Sequence, residues 1–195
     1  MNKNYFLLVL LLGALNFSFG QIWSENFDSY TDGTGIDGSG NIGDYPTGVT
    51  QWSLDVSAAT LSATTDWAKT SGGLFSFRDV DGDAIWQSEA IDISGATGPV
   101  TFSLEASNNA GGFEPTDYYD VYYQIDGGGY TLIANWNGLG DAMHTILGEV
   151  ATVDWSTTET ITQSGITGST LEIRVVALNN AGAEEFFIDN ISVFE

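Results

Sequence analysis

Apolar and polar residues alternate with a period of two along much of this chain. Residues 100–106 (VTFSLEA) place Val100, Phe102, Leu104 and Ala106 on one face. Residues 171–177 (LEIRVVA) do the same with Leu171, Ile173, Val175 and Ala177, and residues 117–125 (DYYDVYYQI) turn Tyr119, Val121, Tyr123 and Ile125 to one side. Side chains two apart on a strand share a face, so this is the pattern of strands with one buried face. Further strands are predicted at 22–28, 51–56, 74–79, 85–93, 130–136, 160–163 and 186–194, and no segment has helical periodicity. Glycine marks the turns: residues 126–129 (DGGG) separate two strands and can supply the positive φ of a hairpin, and residues 94–95 (SG) and 167–168 (TG) punctuate others. Residues 31–50 read as a long Gly-rich loop. Many short strands with glycine turns and no internal repeat predict an all-β fold, a two-sheet antiparallel β-sandwich of jelly-roll type.

The first twenty residues break the pattern. Lys3 is followed by an apolar run from Tyr5 to Leu15 and by the small residues Ser18 and Gly20. This is the order of a secretory leader, and the run is shorter than the roughly 20 apolar residues that span a bilayer. The expectation is a signal peptide over 1–20, no membrane insertion, and a single β-sandwich domain over 21–195 that is secreted or held at the cell surface.

Charge narrows the choice of partner. The chain has 26 Asp and Glu against 4 Lys and Arg, and a formal charge of −22. Loss of Lys3 with the leader leaves Lys69, Arg78 and Arg174 against all 26 acids. Such a surface repels phosphates, and no basic stripe exists, so nucleic acid is not an expected partner. Cations are attracted. Cysteine is absent, which removes disulfides and thiolate metal sites. A hard cation held by carboxylates is then a candidate cross-link for a secreted domain, and Ca2+ is the expected cofactor.

Strand parity singles out particular carboxylates. Glu25 shares a face with Trp23 and Phe27, and Asp189 shares one with Phe187, Ile191 and Val193. A carboxylate turned toward apolar neighbours needs a partner. With so few basic residues, the partner is a bound cation or backbone amides, unless the strand twists or bulges and exposes the acid. A second group lies in predicted loops. Residues 79–83 (DVDGD) alternate Asp79, Asp81 and Asp83 around a glycine, in a spacing that is not that of an EF-hand. Glu114 and Asp117 precede a strand, and Glu184 precedes the last one. If these loops share one end of the sandwich, they form a second calcium site; singly, each is a solvated charge.

Residues 77–95, 114–129 and 168–193 resemble a recurring extracellular domain of secreted Bacteroidetes proteins. More distantly, residues 25–28 (ENFD) and 188–191 (IDNI) resemble the first and last strands of MAM-type and carbohydrate-binding jelly rolls. The resemblance implies that those two strands are neighbours with a structural calcium beside them. It implies little about the ligand, because the fold hosts many.

Three functional classes remain. The aromatic content, 6 Trp and 8 Tyr, favours a binding module for extracellular polysaccharide or a cell-surface partner. Trp67, Trp86, Trp136, Tyr118 and Tyr122 fall at loops or on outward parity, and flat aromatic faces suit sugar rings; an outward Tyr row can equally stiffen a sheet by cross-strand pairing. A structural or matrix subunit assembling through calcium or edge strands is the second class. An enzyme is the third and has the least support. His144 is the only histidine and no G-x-S-x-G elbow occurs. The E-x-D-x-x-E pattern of jelly-roll glycosidases is also absent.

Overall fold

A computed structural model describes residues 20–43, 51–109, 111–138, 143–145 and 158–195. Residues 1–19 of the expected leader therefore lie outside the described residues. Two antiparallel sheets face each other. One contains β1 (Gln21–Glu25), β2 (Gly35–Asp37), β3 (Gly40–Ile42), β5 (Trp67–Ser71), β6 (Leu74–Arg78), β9 (Val100–Asn108), β13 (Glu159–Ile166) and β15 (Glu185–Phe194). The other contains β4 (Trp52–Asp55), β7 (Ala84–Ser88), β8 (Ile91–Asp92), β10 (Tyr118–Ile125), β11 (Thr131–Gly138), β12 (Met143–Thr145) and β14 (Thr170–Leu178). The first sheet runs β13-β9-β15-β6-β5-β2-β3, with β1 also on β15. The second runs β12-β11-β10-β14-β7-β4, with β8 also on β14. Neighbours in space are mostly distant in sequence, as in jelly-roll and Greek-key sandwiches.

The alternating runs build the interior. Val100, Phe102, Leu104 and Ala106 of β9 are buried against Leu171, Ile173, Val175 and Ala177 of β14, together with Tyr119 and Val121 of β10. Two aromatic clusters fill the rest. Phe27, Trp52, Phe75 and Trp86 meet edge-to-face or tilted, with Phe27 6.0 Å from Trp86 and 5.6 Å from Phe75. Phe75 also meets Phe77, which pairs across the ladder with Phe186; there Phe113 stacks on Phe186 at 4.8 Å, and Tyr119 packs edge-on against Phe186 and Trp136. The DGGG segment closes the β10–β11 hairpin as expected. Asp126 and Gly127 have φ of 52° and 67°, the two successive positive values of a type I′ turn.

The structure departs from the sequence reading in several places, and β5 and β12 fall where the pattern predicts no strand. The segment 31–50 is not wholly loop: β2 and β3 form a hairpin inside it that pairs with β5. The predicted strand 85–93 is two, β7 and β8, with Glu89 and Ala90 between them. The last strand changes parity in its middle. Asn190 adopts φ 46° and the pairing of β15 with β9 shifts register between Asp189 and Ser192. Phe186 and Ile188 face inward before this bulge, Ile191 and Val193 after it. Asp189 is thereby placed on the outer face with Phe187, because one extra residue flips every side chain that follows.

Candidate functional site

The outer face of the second sheet carries a cleft of about 500 Å³, inside the range of small-ligand sites. Its floor and walls come from alternate residues of four adjacent strands: Tyr118, Asp120 and Tyr122 of β10, Asn135 and Asn137 of β11, Arg174 and Val176 of β14, and Ile85 of β7. Asp83 and Tyr130 close the two sides. These are the positions of opposite parity to the core residues, so strand pairing alone gathers them into one surface.

The polar groups of the cleft hold one another in place. Tyr118 Oη donates to Asp83 Oδ1. Tyr122 Oη donates to Asp120 Oδ2 at 2.8 Å, and Asn135 Nδ2 donates to Asp120 Oδ1. Burial raises the Asp120 carboxyl and the neighbouring Asp83 charge adds to it, while the bonds from Tyr122 and Asn135 oppose the rise. At the other end the Arg174 guanidinium lies 3.6 Å from the centre of the Tyr130 ring. It donates to Gln87 Oε1, whose amide donates on to Glu172 Oε2 at 2.7 Å. Glu172 also accepts from Tyr130 Oη at 3.1 Å. The cleft thus combines aromatic rings, carboxylates, primary amides and one guanidinium in fixed positions, a set that can pack C–H faces while exchanging hydrogen bonds with hydroxyls.

The aromatic residues singled out from sequence separate in the structure. Tyr118 and Tyr122 line the cleft. Trp86 and Trp136 do not point outward: they are 0 % and 6 % exposed and belong to the core. Trp67 lies on β5 in the other sheet, half-buried under Lys69 Nζ at 3.8 Å and the Arg78 guanidinium at 4.6 Å. Asp120, Tyr130, Asn135, Asn137 and Arg174 were not singled out. Outward parity marks each of the strand residues, but which strands adjoin is a property of the fold.

The acidic residues separate too. Glu25 is inward and buried, as parity predicts, and its partners are protein groups. Phe27 N–H donates to Oε1 at 2.7 Å and Tyr30 Oη to Oε2 at 3.2 Å. Asp189, on the outer face, accepts from the Asn190 N–H at 2.7 Å. Its carboxyl is raised by burial and by the charges of Glu105, Asp28 and Glu25. Asp83 belongs to the cleft. Asp79 is raised by burial and by Asp66 and Asp81, and Asp81 is exposed.

Glu114, Asp117 and Glu184 do come together, with a carboxylate oxygen of each within 4.8 Å of the others, and could hold a metal ion. The register explains the meeting. Tyr118 pairs with Leu178, so Asp117 faces the turn that follows β14. That turn is tied by buried Asn179, which donates to Phe77 O and Glu184 O and accepts from Val80 N–H. Glu184 Oε2 accepts from the N–H of Asn180 and Ala181. Asp117 Oδ2 accepts from Glu114 N–H at 2.5 Å. Burial first, and repulsion from Glu114, push the Asp117 carboxyl up to about 6. Burial, then the charges of Asp117 and Glu114, push Glu184 up to about 7.

A raised carboxyl binds its proton more tightly when folded than when unfolded. The associated stability is complete below the unfolded values of 3.8 and 4.5 and is lost as pH rises through about 6 and 7. In a chelator, the melting temperature is therefore expected to rise as pH falls from 7.5 to 5. A flat or falling profile in thermal scans across that interval would count against the coupled pair.

No protein-family model matches the chain, and no curated protein matches it. Solved structures do. The carbohydrate recognition domain of Emp47p aligns with 94 % of this chain and 99 % of its own at 13 % identity and a TM-score of 0.50. The K3 cleaved adhesin domain of Lys-gingipain from Porphyromonas gingivalis W83 aligns over 90 % of this chain and 98 % of its own, at 12 % identity and a TM-score of 0.49. TmCBM61, solved with β-1,4-galactotriose, covers 75 % and 90 % at 14 % identity and a TM-score of 0.45. At 13 % identity the likeness to the Emp47p domain is one of fold, and the chain is an all-β sandwich.

Proposed function

We propose that this protein is a secreted, non-catalytic β-sandwich module that binds extracellular carbohydrate through the cleft on its second sheet, and that calcium stabilises it. The observation that carries the reading is the cleft itself, where Tyr118, Tyr122 and Tyr130 stand among Asp83, Asp120, Asn135, Asn137 and Arg174. Sugar rings offer apolar C–H faces to aromatic groups and hydroxyls to carboxylates and amides, so this mixture matches them on both counts. The leader-like first twenty residues and the acidic composition support an extracellular setting. The neighbours named for adhesin, carbohydrate-recognition and galactotriose-bound domains accord with it.

Two features weigh against the rival classes. Both oxygens of Asp120 and one of Asp83 already accept hydrogen bonds, which suits struts of a binding surface more than a free acid and base. The edge strand β13 is irregular between Gln163 and Ile166, with Gly165 at φ 77°, and a bulged edge resists strand addition. Calcium has two candidate places, beside Glu25 and Asp189 and at Glu114, Asp117 and Glu184.

The test is a glycan array on residues 21–195, followed by titration of any hit. Tyr122→Ala is expected to weaken binding at least about tenfold, equivalent to about 1.4 kcal/mol, while Trp67→Ala leaves it unchanged. Equal loss in both variants, or no binding to any polysaccharide, would remove the cleft reading. Release of reducing sugar from a bound glycan would move the protein to the enzymes.

A further inference from the structure

We infer that Glu114, Asp117 and Glu184 form a calcium site that joins the segment entering β10 to the turn entering β15. Resting on the calcium part of the reading above, it assigns the ion to a place and gives it a task.

Proximity alone would not carry this, since acidic residues often gather without an ion. The second observation is Asp117. Its side chain is 0 % exposed, its Oδ2 accepts the Glu114 N–H, and its Oδ1 is buried without a hydrogen bond of normal geometry; the neighbouring Asn180 N–H, whose field lowers the Asp117 carboxyl, is donated to Glu184 Oε2. A buried carboxylate oxygen without a partner is costly. Among the described residues no Lys or Arg comes within 4.0 Å of any of the three carboxylates; the ion pair present is Arg78 with Glu185. Glu184, 1 % exposed, has backbone amides on one oxygen but no cation. Two buried carboxylates and a third beside them, with no positive charge, are a set that a divalent ion completes.

The donor set, three carboxylates and no nitrogen or sulfur, suits a hard divalent cation. A carboxylate oxygen of each residue falls within 4.8 Å of the others, close enough to share one ion. Ligands drawn from an irregular loop and a turn favour Ca2+, which tolerates varied geometry, over Mg2+, which demands a near-ideal octahedron. Glu114 is exposed and leaves an open side for entry and for water ligands. The ligands come from two segments that meet only in the fold. They are already in contact through Asn180 Nδ2 to Thr116 Oγ1 at 3.1 Å and Asn109 Nδ2 to Ala183 O at 2.7 Å. A bound ion would clamp them, and Asp117 leads directly into Tyr118 of the cleft.

The experiment is thermal unfolding of residues 21–195 in EDTA and through Ca2+ and Mg2+ titrations at constant ionic strength, for wild type, Asp117→Asn and Glu184→Gln. Wild type should gain roughly 5–10 °C at a hundred times Kd of Ca2+ and much less with Mg2+. Both variants should lose that gain. In EDTA they should melt no lower than wild type, because each removes a buried, repelled charge without changing shape; this separates loss of the ion from failure to fold. If wild type shows no saturable shift, this site and the calcium reading both fall. If the shift persists in both variants, calcium binds elsewhere, the Glu25–Asp189 region being next, and this site alone is wrong.

Discussion

Trp86→Ala is expected to lower the unfolding free energy by about 3–5 kcal/mol, the range for removing a large aromatic from a packed core. Domains of this kind are stable by only about 5–15 kcal/mol, so the variant would lose a large part of its margin. Trp86 is fully buried between the sheets, edge-on to Phe27, and pairs across the ladder with Val175 of β14 and Leu54 of β4. Truncation would leave a void walled by Phe27 and its aromatic neighbours, which cannot collapse without moving two sheets. Its indole N–H makes no hydrogen bond, so Trp86→Phe forfeits volume alone and should cost much less. Chemical denaturation of both variants gives the comparison. A loss under 1 kcal/mol in Trp86→Ala, or a selective loss of glycan binding with stability intact, would place this residue on the surface after all.

The second large effect is expected at Gly138. A Cβ built there would lie 2.0 Å from the carbonyl oxygen of Glu114 and 2.8 Å from the backbone carbon of Phe113. No side chain can yield, because the obstacle is main chain. Gly138→Ala must therefore push the 113–117 segment away from the end of β11 and break the bond from Gly138 N–H to Asp117 O. Overpacking of this kind costs roughly 1–3 kcal/mol. The displaced segment carries Glu114 and Asp117, so the calcium-dependent rise in melting temperature should shrink along with the basal stability. Gly129 at the hairpin is the control: a Cβ there meets nothing within 4 Å, and Gly129→Ala should leave both unchanged. A Gly138→Ala protein with wild-type melting behaviour would show that the close approach does not exist.

Alternation in β9 and β14 determined the fold class. Val100 to Ala106 and Leu171 to Ala177 can bury one face each, and nothing but a sheet on a sheet satisfies both. The same parity marked Tyr118 and Tyr122 as outward and Glu25 as inward. It misled where the backbone departs from the regular pleat. At Asp189 the left-handed Asn190 inserts a residue and reverses the face, and asparagine is among the few residues that accept such a conformation at little cost. It misled again where both faces are apolar. In β7, Ile85 floors the cleft and Trp86, expected at a loop or outward, fills the core, because a run of Ala84, Ile85 and Trp86 does not say which faces inward.

The sites belong to the tertiary structure. Asp120, Asn135 and Arg174 lie on three strands whose adjacency is set by the pairing β11-β10-β14, and no local rule predicts that order. Of the acids expected to bind metal, Glu114, Asp117 and Glu184 meet because Tyr118 pairs with Leu178, while Asp79 and Asp81 stay outside that cluster and Asp83 turns to Tyr118. The sequence by itself determined which residues seek water and which avoid it, because that depends on each side chain and its neighbour two away. Which carboxylates repel one another across a turn depends on the long-range register, and only the folded chain decides it.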